Sequence, residues 1–425
     1  MGTPPTQPPT LLDATKVWAK IGALSFGGPA GQIALMHREV VAMRGWLTEQ
    51  QYLNALSFCM LLPGPEAMQL ATYAGWRLHG VLGGLIAGLL FILPGALVIL
   101  ALATGYALFG DVPLVDAVFL GIKAAVVMIV IEALIKVAKR ALEDRVAWAI
   151  AGLAFIGIFF LALPYPAIIA VAACVGFIRG GSQAGEAAAV AVSVSPLKTL
   201  GTVVLWLGIW VLPFLVLTLT AAPAILMQIA QFFSQLAVVT FGGAYAVLAY
   251  MAQDVVEQFG WLTAGQMIDG LGLAETTPGP LILVTQFVGF LAAFGGGGLG
   301  LAILGAVVTL WVTFAPCFLW IFAGAPYIEW IGAQPRLKGA LQAITAAVVG
   351  VILNLSLWFA LHVLFGEMER VALGPIQLWS PDLFSVDWRV AVIAAISGAL
   401  LFGAKWPMLR VLGVAALCGL ALGQL

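Results

Sequence analysis

Two Pro-Gly-Pro sequences are the part of this chain most suited to binding chemistry. They are Pro63-Gly64-Pro65 and Pro278-Gly279-Pro280, and each separates two apolar segments. Proline lacks an amide hydrogen and interrupts a helix, so each tripeptide leaves backbone groups without helical partners. A helix that begins after such a break presents free N–H groups and the positive end of its dipole, and both attract anions. The two breaks are therefore candidate anion-binding sites.

Charged side chains near these breaks could take part in the same chemistry. Glu66 follows the first break directly, and Glu275 lies three residues before the second. Either could carry a proton, although a carboxylate at a helix start also stabilises the dipole, by about 0.3–1 kcal/mol. Lys123 lies inside an apolar stretch, where a cation costs about 2.5–3.5 kcal/mol and needs a partner or a role. It could attract an anion, or it could pair with Asp116, seven residues earlier.

Small and polar residues around the breaks complete the candidate set. Two glycine pairs lie upstream of the breaks, where they could admit a ligand to the backbone or let helices pack closely. Two glutamines lie about one turn beyond the breaks, and the Thr276 and Thr277 hydroxyls could cap the second break. The candidate substrate-binding residues are Gly27, Gly28, Pro63, Gly64, Pro65, Gln69, Lys123, Gly242, Gly243, Thr277, Pro278, Gly279, Pro280 and Gln286.

Other polar residues point to no further chemistry. Arg38 and Glu39 lie in a polar segment, residues 37–49, where we expect solvated charges, although they could gate. In the same segment Thr48 and Gln51 have the spacing of a capping box. The three histidines show no HxxxH or HExxH spacing, and the four cysteines show no CxxC pair. We therefore expect no metal, no cofactor, no disulfide framework and no nucleic-acid partner.

The chain is an internal duplication. Residues 26–65 and 241–280 align at a constant spacing of 215 residues without a gap, and 16 of the 40 positions are identical. Shared features include Phe-Gly-Gly, Gly-Trp-Leu-Thr and Pro-Gly-Pro. We expect a disordered N-terminus (1–10), a first repeat (11–180), a linker with one extra span (181–225) and a second repeat (226–425).

Composition places both repeats in a membrane. Hydrophobic residues make up 63% of the chain and charged residues 9%, and the mean hydropathy is +1.10. Apolar stretches close to the roughly 20 residues that cross a bilayer recur along the sequence. The predicted helical segments are 11–36 with a break at Gly27, 48–62, 66–79, 81–109, 114–142, 146–163, 166–179, 200–222, 226–252, 262–277, 281–295, 297–324, 336–365, 388–404 and 407–423.

Basic loops set the expected orientation. Lys136, Lys139 and Arg140 crowd one loop, and Arg336 and Lys338 lie in another. If these loops are cytoplasmic, 81–109 runs outward and its counterpart 297–324 runs inward, so the repeats are inverted. The predicted fold is an all-α polytopic membrane protein with two inverted repeats broken at Pro-Gly-Pro, about 13 spans and a cytoplasmic N-terminus. Residues 37–46 do not fit this scheme unless the broken stretch re-enters.

Inverted repeats with helices broken at matching positions are typical of secondary transporters that bind substrate near the bilayer midplane. The motifs also resemble those of the chromate ion transporter family. They are Phe26-Gly-Gly-Pro29, Met36-His-x-Glu-Val40, Trp46-Leu47, Pro63-Gly-Pro65 with Gln69 and Gly75, Phe241-Gly-Gly243 and Thr277-Pro-Gly-Pro280. The second half departs from the pattern at Ala244, Ala252 and Asp254, so we expect an asymmetric site.

The resemblance implies a multi-pass protein of the bacterial inner membrane that exports chromate by using the proton motive force. Transport of sulfate or a related oxyanion, by import or exchange, is the alternative, and association as a homodimer is left open. A membrane enzyme would need clustered acids or a nucleophile with a base, and no DDxxD, HExxH or GxSxG arrangement with a partner histidine occurs. A passive channel would show no dependence on a proton gradient.

Overall fold

The computed structural model describes residues 9–110, 112–182, 195–241, 244–332, 334–374 and 376–423. Most of the expected disordered N-terminus and part of the linker lie outside these residues. The first half and linker contain, in chain order, α1 (Leu11–Leu24), α2 (Gly28–Met36), α3 (Glu49–Cys59), α4 (Glu66–Phe109), α5 (Pro113–Ala141), α6 (Arg145–Phe159), α7 (Tyr165–Ser182) and α8 (Pro196–Leu219).

The second half repeats this series with two additions. Its elements are α9 (Ala224–Val239), α10 (Ala244–Gln253), α11 (Ala264–Thr276), α12 (Val284–Gly324), α13 (Ile328–Gly332), α14 (Pro335–Leu364), β1 (Met368–Leu373), β2 (Ile376–Pro381), α15 (Trp388–Gly398) and α16 (Met408–Leu422). The additions are α13 and the antiparallel β1–β2 hairpin. The all-α prediction missed this hairpin, because its short strands lie in a polar segment between apolar helices.

Local signals explain why the helices begin where they do. The Thr48 hydroxyl accepts the Gln51 amide, and the Gln51 side chain accepts the Thr48 amide. Thr263 and Gln266 exchange the same two bonds at the start of α11. The capping box predicted at Thr48 is therefore confirmed, and the repeat reproduces it. Before each capping box, α2 and α10 widen into a π-helical turn, at His37–Ala42 and Asp254–Gln258.

The long helices α4 and α12 are each broken at one point. α4 has 44 residues, about 66 Å at 1.5 Å per residue, which is roughly twice the hydrocarbon thickness of a bilayer. Non-helical backbone at His79 and Gly80 divides it, and Gly297 and Gly298 divide α12. The boundaries predicted near 80 and 296 are confirmed. The single helix predicted over 226–252 is wrong, since α9 ends at Val239 and α10 begins at Ala244.

The chain forms two compact units that do not coincide with the sequence halves. The first contains Met1–Thr104, Gly185–Ala244 and Thr277–Gln334, and the second contains Gly105–Ala184, Tyr245–Thr276 and Pro335–Leu425. Each unit therefore combines segments of both halves. In the second unit α14 packs on α5, α6 and α7, while α5 also packs on α15 and α16.

Small residues let these helices approach closely. In the second unit, Gly121 of α5 lies against the Ala415 carbonyl of α16, and Gly176 of α7 lies against the Gly339 carbonyl of α14. A Cβ at either glycine would overlap backbone. Close backbone approach is the usual packing mode of membrane helices, because lipid gives no hydrophobic drive for helices to associate.

In the first unit α12 packs on α8 and α9, and two tryptophans join α8 to α12. Pro213 lies inside α8 and cannot donate to the carbonyl of Ile209, four residues earlier. The indole Nε1 of Trp311, on α12, donates to that carbonyl over 2.7 Å.

The same arrangement occurs in the opposite direction. Pro316 lies inside α12 and leaves the carbonyl of Val312 without its helical donor. The indole Nε1 of Trp210, on α8, donates to it over 3.1 Å. Each helix thus supplies the donor that the proline of the other removes, and neither proline leaves its carbonyl unsatisfied in an apolar environment.

The described chain contains helices long and apolar enough to cross a membrane. Five meet that test by length and composition: Glu66–Phe109, Pro113–Ala141, Pro196–Leu219, Leu281–Tyr327 and Pro335–Leu364. Shorter apolar helices, among them α6, α7, α9 and α16, accompany them. The protein is therefore a largely helical, multi-pass membrane protein.

We predict that Trp311→Phe and Trp210→Phe each destabilise the purified protein by about 1–3 kcal/mol, because each leaves a carbonyl without its donor. The comparison is Trp148→Phe, which changes an indole that is 63% exposed. Thermal unfolding in detergent measures the effect. Equal unfolding temperatures for all three variants would contradict the role of the two indoles.

Candidate functional site

The two Pro-Gly-Pro turns lie buried in the first unit, and each is bonded to the opposite half of the sequence. The Gly64 amide donates to the Thr240 carbonyl over 2.8 Å, and the Gly279 amide donates to the Ser25 carbonyl over 3.0 Å. Gly64 and Gly279 are 215 residues apart, as are Ser25 and Thr240. Equivalent residues of the two repeats therefore make the same contact twice.

Both turns need glycine at their centre. Gly64 has φ +120° and Gly279 has φ +90°, a region that side chains with a Cβ disfavour. Space is short as well, because a Cβ at Gly64 would lie 3.0 Å from Cys317 Sγ and one at Gly279 would lie 3.0 Å from Leu283 Cδ1. Conformation and packing together fix glycine at these two positions.

Three buried glutamines hold the surroundings of the turns. Gln69 Nε2 donates to the Pro63 carbonyl over 2.7 Å, and Gln286 Nε2 donates to the Ala96 carbonyl over 3.0 Å. Gln32 Nε2 donates to the Gly279 carbonyl over 2.6 Å. Gln69 and Gln286, which we expect to donate to an oxyanion, each use one amide hydrogen on a backbone carbonyl and have a second one.

The amide oxygens of these three glutamines differ from the amide nitrogens. The Oε1 atoms of Gln32, Gln69 and Gln286 are buried and have no hydrogen-bond partner within the described part of the chain. Nothing in the sequence distinguished Gln32, although a glutamine in an apolar helix is itself unusual. Its role depends on a contact with a residue 247 positions away, which no local pattern reveals.

The two helix starts beyond the turns are not equivalent. α4 begins at Glu66, which is half-buried, whereas the second turn leads into a 3₁₀ turn at Leu281–Leu283 before α12. The first amides of each helix have no partner within that helix and point out of its N-terminus. Thr276 does not cap the second break, because its hydroxyl donates back to the Leu273 carbonyl. Thr277 is buried beside the turn.

The glycines upstream of the first break do not pack tightly. Gly27 and Gly28 have φ of +88° and +71°, and a Cβ at either would meet no described atom within 4 Å. Close helix–helix packing therefore does not explain these two glycines, whereas their left-handed backbone conformation does. The equivalent Gly242 and Gly243 lie outside the described residues.

Lys123 lies in the second unit and pairs with a residue that sequence analysis did not identify. Its Nζ is 3.3 Å from Asp269 Oδ2, with the lysine side chain 22% exposed and the carboxylate 4% exposed. The Tyr106 hydroxyl donates to the same Oδ2 over 2.8 Å. The pairing considered with Asp116 is not made. Asp269 is an acid inside the apolar segment 262–277, and this unusual placement in the sequence could have identified it.

Glu275 lies on the same helix as Asp269, in the second unit, and is buried. Its Oε1 accepts a hydrogen bond from the Tyr245 hydroxyl over 2.6 Å. Glu132 and Lys136 of α5 act on it electrostatically, and they form an i,i+4 pair of their own. The structure therefore places Lys123 and Glu275 in one unit and the two Pro-Gly-Pro turns in the other.

Glu39, which we expected to be solvated, is buried in a cluster of cations. Its side chain is 1% exposed, with Lys20 Nζ 2.8 Å from Oε1 and Arg44 Nη1 2.6 Å from Oε2. Arg38, by contrast, is 61% exposed, as expected. The hydrogen bond from Lys20, assisted by Arg44, holds the pKa of Glu39 below its ordinary value despite burial. This cluster fixes the π-helical turn to α1.

No group of three or more His, Cys, Asp or Glu side chains in the described ranges could hold a metal ion. The candidate chemistry that the structure offers is that of helix starts, buried amides and one lysine–carboxylate pair. Helix starts and a partly exposed lysine both suit an anion.

A sequence profile described as "Chromate transporter" matches residues 12–177 and 227–420. A probable chromate transport protein of Synechococcus elongatus is 30% identical over 397 residues, which are 92% of this chain and 95% of that protein. The chromate transport protein of Pseudomonas aeruginosa is 33% identical over 82% of this chain and 80% of its own. That of Cupriavidus metallidurans is 30% identical over 81% of each. No solved structure matches the chain.

We predict that Glu39→Gln lowers the unfolding temperature, because it leaves Lys20 and Arg44 without their buried carboxylate. Each lost charged hydrogen bond is worth about 1–3 kcal/mol, and hydration of the half-exposed Lys20 reduces the total. The control is Glu49→Gln, whose side chain is 59% exposed.

The same cluster has a defined pH dependence. Because the folded pKa of Glu39 is lowered, its contribution is complete above the ordinary carboxyl pKa and is lost as the pH falls below it. The stability difference between wild type and Glu39→Gln should therefore shrink on acidification. A difference that stays constant or grows would contradict this account.

Proposed function

The chain belongs to the chromate transporter family, and on that premise we propose that it exports chromate across the bacterial inner membrane as a secondary active transporter. The observation that carries the proposal is the pair of cross-bonded Pro-Gly-Pro turns, each at the start of a helix buried in the protein. Chromate is a dianion, and buried helix starts are sites that stabilise anions without a counter-cation.

We further propose that the proton motive force drives export. The electrical component of this force is a membrane potential that is negative inside. It contributes about 2.3 kcal/mol per elementary charge per 100 mV, or about twice that for a dianion. An anion is therefore driven outward. Glu66 and Glu275 are the proposed proton carriers, since both are protonatable and Glu275 is buried.

The proposed topology follows the sequence repeat. The two matched regions correspond to inverted repeats, 11–180 and 226–425, with α8 as the linker span, about 13 spans in all and a cytoplasmic N-terminus. Supporting this scheme are the matched breaks in α4 and α12 and the reciprocal contacts of equivalent residues.

The proposed site residues take distinct roles. In the first unit, the proposed contacts of the anion are backbone groups at the two turns and at Gly27 and Gly28, together with Thr277, Gln69 and Gln286. Gly242 and Gly243 are proposed from the sequence as the counterparts of Gly27 and Gly28. Lys123, in the second unit, is proposed to attract the anion, and its side chain is 22% exposed.

Transport of sulfate is the second candidate. Sulfate is also a tetrahedral dianion, and neither backbone amides nor a lysine distinguishes the two anions by charge. Either import or exchange would use the same architecture. A polytopic enzyme and a passive channel are alternatives of other classes, and a channel would give flux that does not depend on an imposed proton gradient.

The test is chromate flux in proteoliposomes of purified protein, with and without an imposed pH gradient or potassium diffusion potential, and with sulfate as competitor. We expect gradient-driven chromate accumulation. Lys123→Ala should reduce it strongly, whereas Lys139→Ala, on the same helix and exposed, should leave it unchanged.

Two results would contradict parts of this proposal. Robust sulfate flux without chromate flux would reject chromate as the substrate and keep a transporter. Chromate flux that responds to the diffusion potential but not to the pH gradient would reject proton coupling and favour a channel.

A further inference from the structure

The side chains of Lys123 and Asp269, which form an ion pair, differ in solvent exposure. The lysine side chain is 22% exposed and the carboxylate 4%, and their charged atoms are 3.3 Å apart. This is longer than the roughly 2.7–2.9 Å of a strong charge-assisted hydrogen bond. A lysine ammonium has three donors, and a Cβ added at Gly265 would make only ordinary van der Waals contact with Nζ, at 3.5 Å. An anion could therefore reach the ammonium without reaching the carboxylate.

The carboxylate of Asp269 is incompletely satisfied. Oδ2 accepts from Tyr106 and contacts Lys123, whereas Oδ1 is buried and has no hydrogen-bond partner within the described residues. A buried carboxylate with one free oxygen depends on its cation to remain ionised. If Lys123 moves to another anion, the lowest-energy state of Asp269 is the protonated one.

The electrostatic surroundings favour the same change. Asp116, on α5, adds a second negative charge that acts on Asp269. α11 also packs on α14 and α16, but neither helix contributes a charged group that acts on Asp269 in the described chain. Lys123 is therefore the cation that holds this carboxylate ionised.

We propose that Asp269 is a built-in competitor of the transported oxyanion for Lys123, and that it takes up one proton when the anion displaces it. The proposal rests on the proposed oxyanion transport, and it assigns the coupled proton to Asp269 in place of Glu66 and Glu275. In the empty protein the pair is closed and neutral. In the loaded protein Lys123 contacts the anion and Asp269 is protonated. When the anion leaves, Asp269 gives up its proton and pairs with Lys123 again.

The charge balance of this cycle is simple. One dianion and one proton are bound together and released together, so the net charge moved is −1. An inside-negative potential still drives such a complex outward, by about 2.3 kcal/mol per 100 mV. A structural ion pair that only ties α5 to α11 would bind no proton during transport.

The test is the pH dependence of chromate affinity, measured by half-saturation of chromate counterflow without any gradient, between pH 7 and 9. If one proton is bound with each anion, affinity falls by up to about tenfold for each pH unit above the point where Asp269 ionises. Asp269→Asn cannot ionise, so it should retain counterflow and lose this dependence. Comparing the two proteins at each pH cancels the protonation of chromate itself.

A second variant and a control mean that the test does not depend on Asp269→Asn alone. Tyr106→Phe removes a donor to the ionised carboxylate, so the pH at which affinity falls should move upward. Asp144→Asn changes an exposed aspartate that pairs with Arg179 in the same unit, and it should behave as wild type.

The outcomes are distinguishable. If wild type and Asp269→Asn show the same pH dependence, or if Tyr106→Phe does not shift it, the competitor role is wrong and the transport proposal stands. If Asp269→Asn does not fold, the Tyr106→Phe profile decides. If wild type exchanges neither chromate nor sulfate, the proposed function fails and this inference fails with it.

Discussion

The structure depends on one constraint, which is that backbone groups released by a helix break at membrane depth must find partners inside the protein. Each buried group left unsatisfied in an apolar environment costs several kcal/mol. Here the glycine amide of each Pro-Gly-Pro turn bonds to the carbonyl that precedes the Phe-Gly-Gly motif of the other half. Three glutamine side chains satisfy carbonyls around the same turns, and two tryptophans satisfy carbonyls released by helix prolines. Neither half could close these contacts alone, so the duplication is part of the fold itself.

The same constraint explains why the centre is both rigid and suited to an anion. A turn held by bonds to distant residues keeps the following helix start fixed, and the orphan amides of that start remain directed at one place. The halves nevertheless differ where charge matters. Glu66 stands at one helix start and Leu281 at the other. Glu39 has cationic partners, whereas its equivalent Asp254 has no ion pair among the described residues. The two halves therefore combine equivalent backbone with unequal charge.

Much of this architecture could be predicted from sequence because it is recorded in local and repeating patterns. The duplication, the capping box at Thr48, the breaks near residues 80 and 296 and most helix limits follow from spacing, glycine, proline and hydropathy. The rest depends on contacts between residues far apart in the chain. The partner of Lys123 is 146 positions away, at Asp269, whereas the nearer Asp116 was the partner that helical spacing suggested. The burial of Glu39 and the role of Gln32 were not predicted, for the same reason. The compact units also combine segments of both halves, which no repeat pattern indicates.

Both turns require a left-handed glycine held against the opposite half, and thermal unfolding of three glycine variants measures this requirement. Gly64→Ala and Gly279→Ala should each destabilise the purified protein by about 1–3 kcal/mol, because alanine is strained at positive φ. Gly152→Ala, inside α6 with open space around it, should be neutral or stabilising. Comparable losses at Gly64 and Gly279, with none at Gly152, would support equivalent cross-bonded turns. If either turn variant matches Gly152→Ala, that turn is not built as described and the account is contradicted.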